Sequence, residues 1–268
     1  MGAEKMSPLR DPYDETPAAV FRNVSFAYPG TDRALIENLN FTIRQGEFVA
    51  LIGPSGCGKS TILRLLNRLN RPVQGDVEIP GGHLCGYMPQ QDLLFPWRTV
   101  LENIRLPLEV QGGLSAASMD ARAKEILSSV GLEGWGEKLP RELSGGMRQR
   151  ASFARTLMTG ADLLLLDEPF SALDYLTRLS MREWLMEQWQ RDKKTILFIT
   201  HDVEEAVFLS TRILAADRAP IRSLREYRVP LPFPRKESDL AGPEALSLKA
   251  QLLDMFRECE CVEHCESS

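Results

Sequence analysis

GPSGCGKS, residues 53–60, stands between an apolar stretch, EFVALI, and a segment of helical periodicity that begins at Lys59. No other part of the chain restricts the fold as tightly. The string has the form G-x-x-x-x-G-K-[ST], and its flanks supply the strand before it and the helix after it that give the pattern meaning. Glycines let successive backbone N–H groups turn inward, and the helix N-terminus adds the positive end of its dipole, so the loop is a cradle for phosphate. Gly53, Pro54, Ser55, Gly56, Cys57 and Gly58 form that cradle. Lys59 is expected to reach the β- and γ-phosphates, the Ser60 hydroxyl to face Mg²⁺, and Thr61 to stand beside it on phosphate. A thiol has no part in such chemistry, and Cys57 is expected to be a tolerated small residue.

The remaining elements follow an α/β order. Residues 21–27 have strand character, residues 35–43 alternate apolar and polar, and strand-like pieces recur at 76–79 and 84–88. The helix after the phosphate loop is expected over 59–69. Residues 100–139 are rich in helix formers, most clearly over 116–130, and lack strand signals. Strands resume at 163–166 and 195–200, with a helix at 175–191 between them. From residue 218 the chain is rich in proline and charge and poorly periodic until a helix predicted over 244–257. The pattern is an α/β core interrupted by a helical insertion.

Two further strings carry chemistry. LLLLDEP ends a buried strand in adjacent carboxylates, whose side chains must point to opposite faces and so cannot share a task. Asp167 is placed to hold Mg²⁺, directly or through water, and Glu168 to polarise a water aimed at the γ-phosphate. THD follows another apolar strand, which puts His201 at a strand's C-terminal end, where α/β sheets gather their functional groups; a γ-phosphate contact is expected of it. LSGGMRQR, residues 143–150, fits neither pattern. It has no nucleophile–base pair and is poor core material.

These strings together resemble the nucleotide-binding subunits of ATP-binding cassette transporters. The matching residues are Tyr28 in SFAYPG, the loop GPSGCGKST, Gln90 in MPQQDLLFPW, LSGGMRQR, LLLLDEP, Asp174 in SALD, and THD, in that family's order and spacing. The resemblance extends to about residue 202 and more weakly to about 234. It implies a P-loop NTPase (RecA-like) core with an antiparallel β subdomain and an inserted α-helical subdomain. It also divides the chain into a polar leader (1–17), an ATPase domain (18–235, insertion about 100–158), and a C-terminal helix with a Cys-rich acidic tail (236–268). LSGGMRQR then opens the long helix of the insertion and binds the γ-phosphate of an ATP held by another subunit. Ser144 would supply a hydroxyl, and Gly145 and Gly146 exposed N–H groups. Two chains would pack head to tail around two ATPs.

The same resemblance gives Tyr28 to the adenine ring, although a lone aromatic there could equally belong to the core. It gives Gln90 to Mg²⁺ and the attacking water, and Asp174 to a contact across the dimer. Residues 93–100 (LLFPWRTV) would dock on membrane permease subunits through Phe95, Pro96 and Trp97; burial of Trp97 within the insertion is the alternative. The importer subfamily for nitrate, sulfonate and taurine is the nearest in pattern, with a solute-binding protein as indirect partner. A non-transport cassette ATPase of the repair, translation or iron–sulfur type is the second reading. A small-molecule kinase on the same loop explains neither LSGGMRQR nor SALD.

Composition sets the remaining bounds. The chain of 268 residues is 43% hydrophobic, and no apolar run approaches the roughly 18 residues of a membrane span. Residues 1–17 lack the apolar segment of a secretory signal. A formal net charge of −5 argues against a broad basic face for nucleic acid. The expected location is the cytoplasm, against the inner face of a membrane. Five cysteines without an export signal do not suggest a disulfide scaffold. Three of them crowd the C-terminus, where Cys259, Cys261, His264 and Cys265 could hold Zn²⁺ or Cu(I), undergo thiol oxidation, or belong to a solvated acidic end.

Overall fold

A computed structural model describes residues 16–31, 33–82 and 84–266, with 258–266 as backbone alone. Two sheets organise it. The first is antiparallel and three-stranded, with β1 (Pro17–Ala27) between β2 (Ala34–Arg44) and β4 (Gln74–Glu78). The second is the α/β core, in the order β5-β6-β7-β3-β8-β9. Its members are β3 (Phe48–Ile52), β5 (Cys85–Met88), β6 (Leu163–Asp167), β7 (Thr195–Ile199), β8 (Arg212–Ala215) and β9 (Arg225–Arg228). Pairing is parallel from β5 through β8, and only β9 runs antiparallel at the edge.

The near-continuous apolar runs of β3, β6 and β7 follow from burial on both faces of the sheet. Phe48, Ala50 and Ile52 face one core with Leu164, Leu166, Ile196 and Phe198. Val49 and Leu51 face the other with Leu163, Leu165, Leu197 and Ile199. Each fully buried side chain of this kind contributes about 1.5–3 kcal/mol. The antiparallel sheet and α1 (Lys59–Leu66) cover the second core.

The remaining helices belong mainly to the first core: α2 (Val100–Gln111), α3 (Ala116–Ser129), α4 (Gly145–Leu157), α5 (Tyr175–Asp192), α6 (Val203–Leu209) and α7 (Pro243–Glu266). Between β5 and β6 there are only helical elements, namely α2, α3, a short 3₁₀ turn (Pro140–Glu142) and α4. This is the helical insertion. Thr99 caps α2 reciprocally: its hydroxyl accepts the Glu102 N–H at 3.2 Å, and the Glu102 carboxylate accepts the Thr99 N–H at 2.8 Å.

Three sequence expectations are corrected. The helix predicted to Leu69 stops at Leu66, because Arg68 turns left-handed (φ 57°). The N–H of Arg68 reaches the Leu65 carbonyl at 3.1 Å and that of Leu69 the Arg64 carbonyl at 2.9 Å, a Schellman ending. Residues 203–228, unassigned from sequence, hold α6, β8 and β9. Here α6 has too few residues for a period to show, and β9 (REYR) is an exposed edge with no apolar run. Finally, the C-terminal helix continues to Glu266, so Cys259, Cys261, His264 and Cys265 lie on its last turns; their side chains fall outside the described residues.

Candidate functional site

The sheet order brings β6, β7 and β3 side by side, so their C-terminal ends form one row. Three of the sequence-predicted strings stand on that row: the phosphate loop after β3, Asp167 and Glu168 at β6, and Thr200 and His201 after β7. Ligands of open α/β sheets bind at such an edge. A cleft of about 310 Å³ opens there, lined by Tyr28, Ser55, Gly56, Lys59, Ser60, Thr61, Gln90 and Glu168 among others. These residues come from the first turn of α1 and from four connecting segments.

The phosphate loop has the backbone its sequence implies. Gly58 caps α1 at φ 116°, a conformation that a side chain would strain. Lys59 is buried, and its ammonium donates to the carbonyls of Gly53 at 2.8 Å and Pro54 at 2.7 Å. The cation is therefore folded onto its own loop, ready to exchange two carbonyls for phosphate oxygens. Cys57 is buried, and burial pushes its thiol above the usual range, which leaves it a poor nucleophile. Tyr28 is half-buried. Its hydroxyl stands 3.2 Å from the Thr61 hydroxyl and accepts Arg64 Nη1 at 3.2 Å, so its ring borders the cleft rather than lying loose on the surface.

The two carboxylates differ, but not by the strand alternation expected from sequence: β6 ends at Asp167, and Glu168 takes its direction from a left-handed backbone turn. Asp167 is buried, and burial raises its carboxyl above the usual range, against the opposing hydrogen bond from Ser60. Ser60, Asp167 and Gln90 offer only oxygen donors toward a cation, which suits Mg²⁺. Among the described residues no three His, Cys, Asp or Glu side chains cluster as metal ligands. A Mg²⁺ here would therefore take most of its shell from phosphate and water, as that ion usually does.

Asp167→Asn is expected to raise the melting temperature of the nucleotide-free chain at neutral pH. The raised folded pKa means the native state binds the proton more tightly than the unfolded chain, so the destabilisation is full above that pKa and is relieved as pH falls through it. The advantage of the variant should shrink toward acid. A thermal melt showing the variant less stable at pH 7 would contradict this account.

Glu168 is partly exposed and sits at φ 50°, the left-handed region, where a non-glycine residue needs support. Its carboxylate accepts Gln90 Nε2 at 3.0 Å, and His201 Nδ1 lies 3.5 Å from its other oxygen. His201 follows Thr200, whose hydroxyl donates to the buried Glu205 at 2.6 Å, and precedes Asp202, which caps α6. Thr200 and Glu205 thus fix the turn that presents His201. Glu205 was not legible from sequence, since Glu204 and Glu205 together in the first turn of a helix both look like dipole-matching residues.

The signature residues do not join this cleft. Ser144 caps α4, its hydroxyl accepting the Met147 N–H at 3.3 Å, and Ser144 and Gly145 are exposed. Gly145, Gln91, Asp92, Leu93 and Ala172 border a second groove, which shares Gln90 with the cleft. Asp174 is exposed as the cap of α5, where it accepts the Thr177 N–H at 3.1 Å. One chain therefore carries a phosphate cleft and, outside its lining, an exposed helix N-terminus with a serine cap.

The docking candidates are also exposed. Trp97 is 72% exposed, and Phe95 and Pro96 are exposed beside it, which answers the burial alternative. Their loop is held by Asn103, a fully buried residue of α2 that the sequence did not single out. Its amide donates to the carbonyls of Phe95 (3.1 Å), Arg98 (3.1 Å) and Thr99 (2.9 Å), and its oxygen accepts the Phe95 N–H at 2.8 Å. Arg155 of α4 donates to the carbonyls of Asp92 and Leu93, both at 2.8 Å, tying the segment after Gln90 to the signature helix.

A phosphate loop, paired carboxylates at the next strand but one, and an exposed serine-capped helix N-terminus on an inserted helical unit define a nucleotide-binding cassette. The chain belongs to the ABC transporter family, whose model matches residues 36–171. It is 46% identical over 216 residues to the formylaminopyrimidine import ATP-binding protein ThiZ of Halalkalibacterium halodurans, covering 81% of this chain and 86% of that protein. It is 40% identical over 256 residues to the taurine import ATP-binding protein TauB of Pseudomonas aeruginosa, covering 90% and 96%. Among solved structures, a dimeric post-hydrolysis state of the ATP-binding cassette MJ0796 bound to ADP and Pi superposes with a TM-score of 0.72 at 31% identity, covering 79% of this chain and 98% of that one.

Proposed function

We infer that this chain is the ATP-hydrolysing subunit of an ABC importer, bound at the cytoplasmic face of a membrane to separate permease subunits that receive solute from a binding protein. The observation that carries the inference is the convergence of Lys59, Ser60, Gln90 and Glu168 on one cleft while the exposed Ser144 and Gly145 stand outside its lining. Among the described residues no helix is long and apolar enough to cross a membrane, in keeping with a permease carried on other chains.

The roles follow from the geometry. Backbone N–H groups of residues 53–61 and the Lys59 ammonium bind the β- and γ-phosphates. Tyr28 borders the base. Ser60, Asp167 and Gln90 would hold Mg²⁺, which when bound neutralises phosphate charge. Glu168 orients a water and takes its proton, and Gln90 and His201 hold that carboxylate and the departing phosphate. Ser144, Gly145 and Gly146 close over the γ-phosphate of a second chain, and Asp174 contacts the opposite phosphate loop. ATP thus completes a two-fold dimer, and hydrolysis reopens it. Phe95, Pro96 and Trp97 pass the movement to the permease.

The test is retention of the chain by membranes carrying co-expressed importer permease subunits, with ATP-driven solute uptake in vesicles. Trp97→Ala is expected to weaken that association on the order of 30-fold, as removal of a central interface tryptophan does. Equal retention of the variant, or of the wild type by membranes without the permease, would overturn the assignment.

A further inference from the structure

Gln149 is a buried amide on α4, 4% exposed, in a string otherwise read for its glycines and cations. Its Nε2 donates to the Glu168 carbonyl at 3.0 Å and to the Ser171 hydroxyl at 3.2 Å. Its Oε1 accepts the Ala172 N–H at 2.9 Å. Both ends of the amide are thus spent on the loop that joins β6 to α5. Gly146, one turn earlier, lies against the same loop: a Cβ there would stand 3.2 Å from the Ala172 carbonyl and 3.3 Å from Leu173 Cδ2. At Gly145 an added Cβ would meet only Arg148 Nη2, at 3.9 Å. The two adjacent glycines therefore do different work. Gly145 keeps an open face, and Gly146 lets α4 close on the carboxylate loop.

That loop needs holding. Glu168 at φ 50° carries the kind of backbone strain that persists only where neighbours over-determine it. The Glu168 N–H donates to the Ile199 carbonyl at 3.1 Å, and the Glu168 carbonyl takes the Ser171 hydroxyl at 3.1 Å besides Gln149. Of these supports only Gln149 comes from the signature helix.

The geometry points to Gln149 as a positioning residue that locks the 168–174 loop to the N-terminal turns of α4. The Glu168 carboxylate, which serves the chain's own ATP, and Ser144, which serves the partner's, are thereby held as one rigid unit. This rests on the composite site proposed above. It makes each chain a mechanical link between the two ATPs of the dimer. Gln149 is no part of the phosphate cradle, so its loss should spare nucleotide binding and strike the chemical step.

The test compares Gln149→Met, which keeps the length and packing but none of the hydrogen bonds, with Gln149→Glu, which keeps the acceptor for Ala172. Wild type, Ser144→Arg and Glu168→Gln run in parallel on the full chain, with a fluorescent ATP analogue for binding and steady-state ATPase assays for turnover. Gln149→Met is expected to keep KM and analogue affinity within about two-fold while kcat falls about 100-fold, the effect of misplacing a catalytic group by an ångström. Gln149→Glu should fall between it and wild type. A folded Gln149→Met or Gln149→Glu chain with wild-type kcat overturns the inference, as does a parallel loss of affinity and kcat, which would mark general damage to the fold. Wild-type turnover by Ser144→Arg would instead bring down the composite site and the inference with it. Inactive Ser144→Arg and Glu168→Gln beside a fully active Gln149→Met would bring down the inference alone.

Discussion

Glu168→Gln is expected to bind ATP as the wild type does and to hydrolyse it about 10²–10⁴-fold more slowly, the contribution of a positioned general base. In free energy that is about 3–5 kcal/mol of barrier. The amide keeps the size of the carboxylate and can still meet Gln90 Nε2, which now donates to Glu168 at 3.0 Å, so the cleft keeps its shape. What it loses is the ability to take a proton from water. Binding depends on Lys59 and the loop N–H groups, which the substitution does not touch. With opening made dependent on hydrolysis, the variant should collect as an ATP-bound dimer on size-exclusion chromatography in the presence of Mg²⁺ and ATP. Turnover within ten-fold of wild type would move the general base elsewhere.

Ser144→Arg is expected to leave ATP binding by the single chain intact and to abolish hydrolysis. Ser144 is exposed and its hydroxyl caps α4, so the substitution costs a helix cap, about 1 kcal/mol, and not the fold. The arginine would fill the space that another chain's γ-phosphate has to enter. Mixing Ser144→Arg with Lys59→Ala gives the sharper result. Each variant alone spoils both sites of its homodimer. In the heterodimer one site collects both lesions and the other has none. If one intact site can turn over, an equal mixture should recover roughly one quarter of the wild-type rate, half of the dimers being mixed with half of their sites intact. ATPase measured across mixing ratios reads this directly, and wild-type turnover by Ser144→Arg alone would refute a shared site.

How much of this could be read from the sequence depended on where the information sits. The phosphate loop, β6 and β7 were legible because each couples a two-sided buried strand to a short chemical string, and their parallel neighbours in the sheet follow from that class of fold. The helix at α5 was placed to within one residue at its end. By contrast, α6 and β9 carry no period of their own, and they form because Asp202 caps one and β8 pairs with the other. Among the site residues, those proposed to touch phosphate could be named because chemistry fixes their type. Those that hold them could not. Asn103, Gln149, Arg155 and Glu205 act on backbone groups or neighbours far away in sequence, and an amide or a cation on a helix gives no sign of which way it faces. Tyr28 lay between these cases: the resemblance gave it to the adenine ring, with the core as the alternative, and neither reading included the Thr61 and Arg64 contacts that hold its hydroxyl.

Asn103 bears on how the proposed permease contact would work. The apolar tip at Phe95 and Trp97 is exposed, yet the backbone beneath it is fastened to α2 by four hydrogen bonds from one side chain. Little ordering entropy is left to lose when a partner arrives. The larger consequence is mechanical. A slack loop would absorb a displacement of the helical insertion, whereas a fastened one delivers it to the tip. On the proposed contact, grip and leverage are separable properties of this segment: the aromatic surface would set how firmly a partner is held, and the Asn103 bonds how much of any displacement of α2 would reach it.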